Sequence, residues 1–396
     1  MDTEDLQQKL HAQVALAERS EHAFLTLKAC NEALVRTSSE QEFLAEFCRL
    51  CVVEAGDAHA LVTLAGPDPH EVLQSFASYG SLQSYVDNLQ VTWDDAPTGQ
   101  GPTGRAIKTG QSQLADWRSP QPRLMPWQDL AQHHHITASI ALPIKQGDRV
   151  LGALNIYSTE PNSFSPADQE LLEQVAQLLA YGLISRQTLA AQDRLLDQTI
   201  QAIVKMVELR DPYTQGHENQ VARLAYTIAH QLQLPEDTAR GIYVAGLLHD
   251  VGKLRAPAEI LSKPGRLDPI EYELIKLHSQ ASYDILRNIQ FPWPVAEIAL
   301  QHHERLDGSG YPQKLKGDQI LLGARIIAVA DVIDAMTSHR PYRPGLGLGA
   351  AIAEIEANRG QLYDPDVVDA CLAILHAPGL VWTDLPRPPQ ASDPIA

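Results

Sequence analysis

Between Pro166 and Leu209 the chain has no proline, and this stretch of about 44 residues reads as a single helix opened by Ser165-Pro166. That is roughly twice the upper end for helices of globular domains. Apolar residues fall into a seven-residue frame along it. Leu172, Leu179, Ile200 and Val207 occupy one position, Val175, Leu189, Leu196 and Ile203 the other, with Gly182, Arg186 and Asp193 as interruptions. Two arrangements fit: a parallel coiled coil joining two copies of the chain, or a long helix packed on its own domains. The frame favours the coiled coil, with the polar interruptions setting register, and hence a homodimer.

The helix separates two regions of different pattern. Residues 1–39 read as a polar leader helix with apolar Leu6, Leu10 and Val14 spaced by four. From 40 to 185 the pattern is mixed. A helix over Glu42–Ala55 precedes strand-like runs at Ala60–Leu64 and Val72–Ser78, then a Gly/Pro/Thr-rich stretch at Thr98–Gly104. Two further strand-like runs, Ser139–Ile144 and Val150–Tyr157, flank a Gly147-Asp148 turn. This order describes an α+β sheet domain. Residues 166–210 form the linking helix, and 211–378 read as helix throughout. The tail, 379–396, rich in Pro, Asp and Ser, is expected to be disordered.

Composition narrows the function. The net charge of −18 argues against a polymeric nucleic-acid partner, which needs a basic face. An anionic ligand must therefore be held by a few local cations or by metal. The four cysteines, Cys30, Cys48, Cys51 and Cys371, form no framework and point to a reducing, cytoplasmic setting. No apolar run reaches the length of about 18 to 20 residues that crosses a bilayer, so no membrane association is expected.

Histidine carries the strongest local signal. His217 extends the apolar stripe of Val221, Leu224, Ala225, Ile228 and Leu232. His278 falls with Ile270, Leu274, Ala281 and Ile285, and His302 with Val295, Ile298 and Ala299. Asp331 continues Ala324, Ile327 and Ala328, while His249-Asp250 closes the apolar run VAGLLHD. A single inward histidine is usually an ordinary core residue; several on separate helices are much harder to dismiss, and an ionised aspartate buried among them needs a cation or several donors. With His303, the set is His217, His249, Asp250, His278, His302, His303 and Asp331. Nitrogen and oxygen donors without sulfur suit Fe, Mn, Zn or Ni. Seven donors are enough for two ions, with Asp250 able to bridge, and a metal pair serves phosphoryl displacement.

The run His249-Asp250-Val251-Gly252-Lys253, followed by His302-His303-Glu304-Arg305-Leu306-Asp307-Gly308-Ser309-Gly310-Tyr311-Pro312, resembles the HD-GYP branch of the HD metal-dependent phosphohydrolases. Arg210–His217 and Asp331–Arg343 support the match, which covers about 200–375 with its motifs in order. The resemblance implies hydrolysis of cyclic di-GMP to pGpG or GMP by a pair of divalent ions, iron or manganese. It assigns the seven residues above as metal ligands, with Asp250 and Lys253 catalytic. It also places Lys253, Arg340 and Arg343 on substrate phosphates and Gly308, Gly310 and Tyr311 in a loop beside the site. A third-metal glutamate of some members corresponds to Tyr213, so two ions are expected rather than three. Metal affinity is expected to fall below about pH 6.5, where free imidazoles protonate.

Residues 40–185 resemble a GAF sensory domain in element order, in Gly99–Ala106 and in the Val150–Tyr157 strand. Its ligand, if it holds one, is left open. Cys48 and Cys51 read as helix core, and His133-His134-His135 as a solvated run. The whole chain is then a multidomain protein: an α+β GAF-like sensor, a long coiled-coil linker helix and an all-α HD-type bundle. Two alternatives remain at this stage, an inactive dinucleotide-binding or protein-binding effector and a hydrolase of another cyclic dinucleotide.

Overall fold

The computed structural model describes residues 24–37, 39–54, 56–160, 163–211, 215–263, 265–338, 345–377, 379 and 384–388. The chain divides into two compact units, Met1–Ala191 and Gln192–Ala396.

In the first unit, helix α1 (24–36) and α2 (Glu40–Val53) precede β1 (His59–Leu64) and β2 (Gln74–Gly80). Then come α3 (Gln83–Val86), α4 (Pro102–Thr109), β3 (Gln113–Asp116), α5 (Gln128–His133), β4 (Ala138–Gln146) and β5 (Arg149–Ser158). The strands form one antiparallel sheet in the order β2-β1-β5-β4-β3. The sequence placed four of the five; β3, with four residues, is too short to show a period. Side chains alternate across the sheet. Ala60, Val62, Ile140, Leu142, Leu154 and Ile156 face a helical layer built on Phe43, Leu44, Phe47, Val175, Leu179 and Leu183. Leu61 and Tyr157 face the other way, with Tyr85, Trp117, Leu124 and Trp127. A one-residue slip would exchange the two faces, so the register is firmly set.

Helix α6 runs unbroken from Pro166 to Arg210, 45 residues, as the sequence predicts. Its heptad frame is another matter. Leu172, Val175 and Leu179 lie in the core of the first unit, and Ile200 and Val207 in that of the second. Of the eight frame residues only Leu189, 62% exposed, is left open. The interruptions are packing devices as well. A Cβ on Gly182 would stand 2.3 Å from the Phe43 ring, and the Arg186 guanidinium sits 4.1 Å over that ring while donating to the carbonyls of Leu34 and Thr37. The apolar period therefore serves the chain's own cores, with Leu189 left over.

The second unit continues with α7 (His217–Gln231), α8 (Glu236–Leu248), α9 (Ala258–Leu261), α10 (Pro269–Leu286), α11 (Val295–Gln301), α12 (Leu322–Thr337), α13 (Leu348–Ala357) and α14 (Pro365–Leu375). Helix α10 starts with a capping box. Asp268 accepts from the backbone N–H groups of Ile270 and Glu271, and Glu271 accepts from that of Asp268. One expected stripe is wrong. Ile270, Leu274 and Ile285 of α10 are 74%, 42% and 41% exposed, and the buried face is instead His278, Ser279, Ala281, Ser282 and Leu286. Small residues are needed there because the turn Val251–Arg255 packs directly on the helix: a Cβ on Gly252 would lie 2.0 Å from the His278 carbonyl oxygen.

The tail also departs from expectation. Leu385 is 3% exposed and belongs to the helical core, and Arg223 donates to its carbonyl at 3.2 Å. An isolated leucine among prolines carries no periodicity, but it fills an apolar gap once the bundle exists. No helix among the described residues is long and apolar enough to cross a membrane.

Candidate metal centre

Three helix ends, one turn and two helix interiors deliver the seven predicted donors. His217 opens α7 after Gly216, His249 caps α8, and Asp250 begins the turn Val251–Arg255. His278 lies within α10, His302 and His303 follow α11, and Asp331 lies within α12. All except His303 are buried, and the His303 side chain keeps 20% exposure. Donor atoms of His217, His249 and Asp331 lie within 4.8 Å of one another, and those of His278, His302 and His303 form a second such group.

Asp250 stands between the two groups. Its Oδ1 is 3.1 Å from His278 Nε2 and 3.8 Å from His302 Nε2; its Oδ2 is 3.5 Å from His249 Nε2 and 3.8 Å from His217 Nε2. Asp331 reaches His217 Nε2 at 3.3 Å and His303 Nδ1 at 3.9 Å. Lys253 Nζ is 2.6 Å from Asp250 Oδ2.

The outward nitrogens decide what the inward ones can do. His249, His278 and His302 each donate Nδ1–H to the backbone carbonyl three residues earlier, those of Gly246, Ile275 and Ala299, all at 2.7 Å. His217 donates its Nδ1–H to Asp334 at 2.5 Å. In the neutral ring each Nε2 is then a bare lone pair. The Nε2 atoms of His278 and His302 face each other at 3.3 Å, and His249 Nε2 and Asp250 Oδ1 are buried without a hydrogen bond. Lone pairs and carboxylate oxygens converging in a dry pocket repel unless a cation lies among them. Divalent metal fits this donor set.

Electrostatics agrees. Burial pushes the His302 imidazole down to about 3 and lowers His249 and His303 too, so these rings stay neutral below the free histidine value. Burial opposes charge on His217 as well, but Asp331 and Asp334 outweigh it and push the imidazole up to about 10, so without a metal this ring keeps a proton on Nε2 toward Asp331, which a cation would replace. Burial likewise works against ionised Asp250 and Asp331. Lys253 and the imidazoles overcome it for Asp250, and His217 for Asp331, so both carboxyls lie well below the usual range.

Supporting residues escaped the sequence reading. Asp334, 2% exposed, fixes the His217 ring; its spacing of three from Asp331 on one helix was the available signal. Ser282 donates to the His249 carbonyl at 2.7 Å and accepts from the Gly252 N–H at 2.9 Å, tying the His-Asp turn to α10. Glu304, 2% exposed, accepts from the backbone N–H groups of Gln313, Lys314 and Leu315. It thereby anchors the loop carrying Gly308, Gly310 and Tyr311. A Cβ on Gly310 would be 2.4 Å from the Arg305 nitrogen, so the loop closes only with glycine there. The Tyr311 ring lies 4.8 Å from that of His303, tilted by 37°. Glu218, beside His217, is buried with neither carboxyl oxygen hydrogen-bonded, and burial pushes it up to about 7. Arg340, Arg343 and Tyr213 lie outside the described residues.

Residues 201–367 match the HD domain model and residues 37–183 the GAF domain model. The chain thus carries an HD domain and a GAF domain. The chain is 44% identical over 177 residues to the cyclic di-GMP phosphodiesterase response regulator RpfG of Xanthomonas campestris pv. campestris, covering 44% of this chain and 47% of the relative. It is 42% identical over 181 residues to a cyclic di-GMP phosphodiesterase of Thermotoga maritima, covering 45% and 49%. Similarity extends to 3'3'-cGAMP-specific phosphodiesterase 3 of Vibrio cholerae, 37% over 195 residues, covering 49% and 42%. The chain thus spans less than half the length of these relatives. In the GAF domain Cys48 and Cys51 are buried, as expected, and His133 and His135 are exposed.

Proposed function

We propose that this chain is an HD-GYP protein, a metal-dependent phosphodiesterase of cyclic dinucleotides, cyclic di-GMP first among them, with the GAF domain as its regulator. The observation that carries the reading is the set of three imidazoles, His249, His278 and His302, whose outer nitrogens are pinned to backbone carbonyls, leaving bare inward lone pairs around Asp250. His217, His249 and Asp331 would hold one ion and His278, His302 and His303 a second, with one Asp250 oxygen turned to each group; iron or manganese suits these donors. When bound, such a pair supplies Lewis acidity and an activated water near neutral pH.

The chain's own residues do the rest. Lys253, its side chain 12% exposed at the rim, can exchange Asp250 for a phosphate oxygen and offset the charge that gathers there during displacement. Tyr311 and its glycine-shaped loop close one side of the site and restrict water. Arg340 and Arg343 would add positive charge for the second phosphate, answering the chain's overall negative field. Pairing of two copies through α6 would engage Tyr181, Leu189 and Leu195, which it leaves 62–64% exposed; sedimentation of the wild type against a triple alanine variant tests this.

Incubation of Mn- or Fe-loaded protein with each cyclic dinucleotide, followed by chromatography, tests the activity. Linear pGpG or GMP is the expected product. Intact cyclic di-GMP recovered from a fully metallated sample would replace the reading with that of a nucleotide-binding effector.

A further inference from the structure

A second row of side chains leads outward from the donor cluster. Tyr311 lies against His303, and Lys276 Nζ stands 5.4 Å from the Tyr311 ring centroid and 4.6 Å from that of Tyr272. Tyr272 and Lys276 are four residues apart on α10, and hence neighbours on its surface. The Tyr272 ring is 49% exposed, so part of it is open to a ligand. Lys276 has Glu273 as its ion partner at 2.7 Å, but Glu273 is 69% exposed, and such a pair is easily exchanged.

An accessible aromatic ring with an ammonium held at it, one ring away from a phosphate-cleaving centre, suits a nucleobase. Aromatic side chains stack on any base and distinguish them little. The ammonium does distinguish them, because it has donors only. Guanine presents two acceptors, O6 and N7, on one edge, whereas adenine presents N7 beside an amino donor. A lysine at that edge therefore favours guanine and disfavours adenine.

We propose that Tyr272 and Lys276 form a guanine-selective base subsite beside the metal centre, with Tyr272 stacking on the base and Lys276 donating to O6 and N7. The inference rests on the cyclic-dinucleotide reading above and supplies its base preference. Neither residue touches the donor cluster, so the test reads selectivity rather than loss of metal.

Full-length wild type, Lys276→Met, Lys276→Arg, Tyr272→Ala and Tyr272→Phe are compared for kcat and KM on cyclic di-GMP and cyclic di-AMP, and by calorimetric binding of both dinucleotides. Lys276→Met should lower kcat/KM for cyclic di-GMP about tenfold, mainly through KM, while moving cyclic di-AMP far less. Lys276→Arg, which keeps donors, should retain the guanine preference. Tyr272→Ala should weaken both dinucleotides alike, and Tyr272→Phe should restore them. If Lys276→Met weakens both equally, or leaves their ratio where it was while wild type still cleaves cyclic di-GMP, the subsite is wrong and the hydrolase reading stands. If wild type cleaves neither but binds cyclic di-GMP more tightly, and Lys276→Met erases that preference, the subsite stands and the hydrolase reading falls. Wild type that binds neither, or binds both equally, overturns the subsite.

Discussion

Beneath the GAF sheet, Thr103 Oγ1 donates to Asn155 Oδ1 at 2.7 Å, Asn155 in turn donates to the Leu61 carbonyl, and Trp117 Nε1 donates to Ser139 Oγ at 2.9 Å. Thr103, Trp117, Ser139 and Asn155 line a cavity of about 20 Å³, room for roughly one water molecule. In the HD domain the buried polar atoms do the opposite. Four rings satisfy their outer nitrogens; the inner ones of His278 and His302 face each other, and those of His217 and His249 face carboxylates. One region spends its polar groups on internal hydrogen bonds, which stabilises it as it stands. The other withholds them, so part of its stability waits for a cation. Polar burial by itself therefore indicates nothing about ligands; what matters is whether the buried atoms are already paired.

The contrast breaks most directly at Asp250, which stands between the two donor groups. Asp250→Ala or His302→Ala should cut turnover by about a thousandfold or more and lower bound metal measured by elemental analysis, because several kcal/mol of charge stabilisation go with the ions. Retained metal and turnover in both variants would remove the centre from the chemistry. Asp334→Asn keeps the shape but weakens the hold on the His217 ring, and a loss of about 10- to 100-fold in metal affinity is expected. A smaller effect separates the two domains thermally. Metal at about a hundred times its dissociation constant should stabilise the HD transition by about 2.7 kcal/mol in calorimetry and leave the GAF transition in place. An equal shift of both transitions would contradict the assignment of the metal to the HD domain alone. Insertion of one residue near Asp193, within the continuous α6, should alter turnover with both transitions intact; an unaltered rate argues against coupling through the helix.

The smallest effect belongs to the GAF domain. His59 is fully buried, its Nδ1 accepts from the Leu82 N–H at 3.2 Å, and burial lowers its pKa. Below about pH 6.5 the unfolded chain takes up a proton that the folded ring resists, so stability falls as pH drops through that value. His59→Gln should flatten this slope in the GAF transition between about pH 6.5 and 5. A slope of the same steepness in the variant would assign it to other groups.

Much of the site was legible because histidine and aspartate on apolar helix faces are costly and leave a visible mark. The seven donors were found one helix at a time, from periodicity and from motif order. Asp334 and Ser282 were not, because a hydrogen-bond acceptor on a helix face looks like any other polar residue until its partner from another helix arrives. The α10 stripe misled for a related reason: hydrophobicity marks the buried face of an ordinary helix, but close contact with the Val251–Arg255 turn selected small residues instead.

The sequence by itself determined the elements, their order, the long uninterrupted helix and the kinds of donor that could gather, since these depend on local spacing and side-chain chemistry. The tertiary structure alone decided which face of α6 is spent on which core, that Leu385 closes the bundle, and that the donors fall into two groups with Asp250 between them. Those outcomes depend on distances between residues far apart in the chain, and no local period encodes such distances.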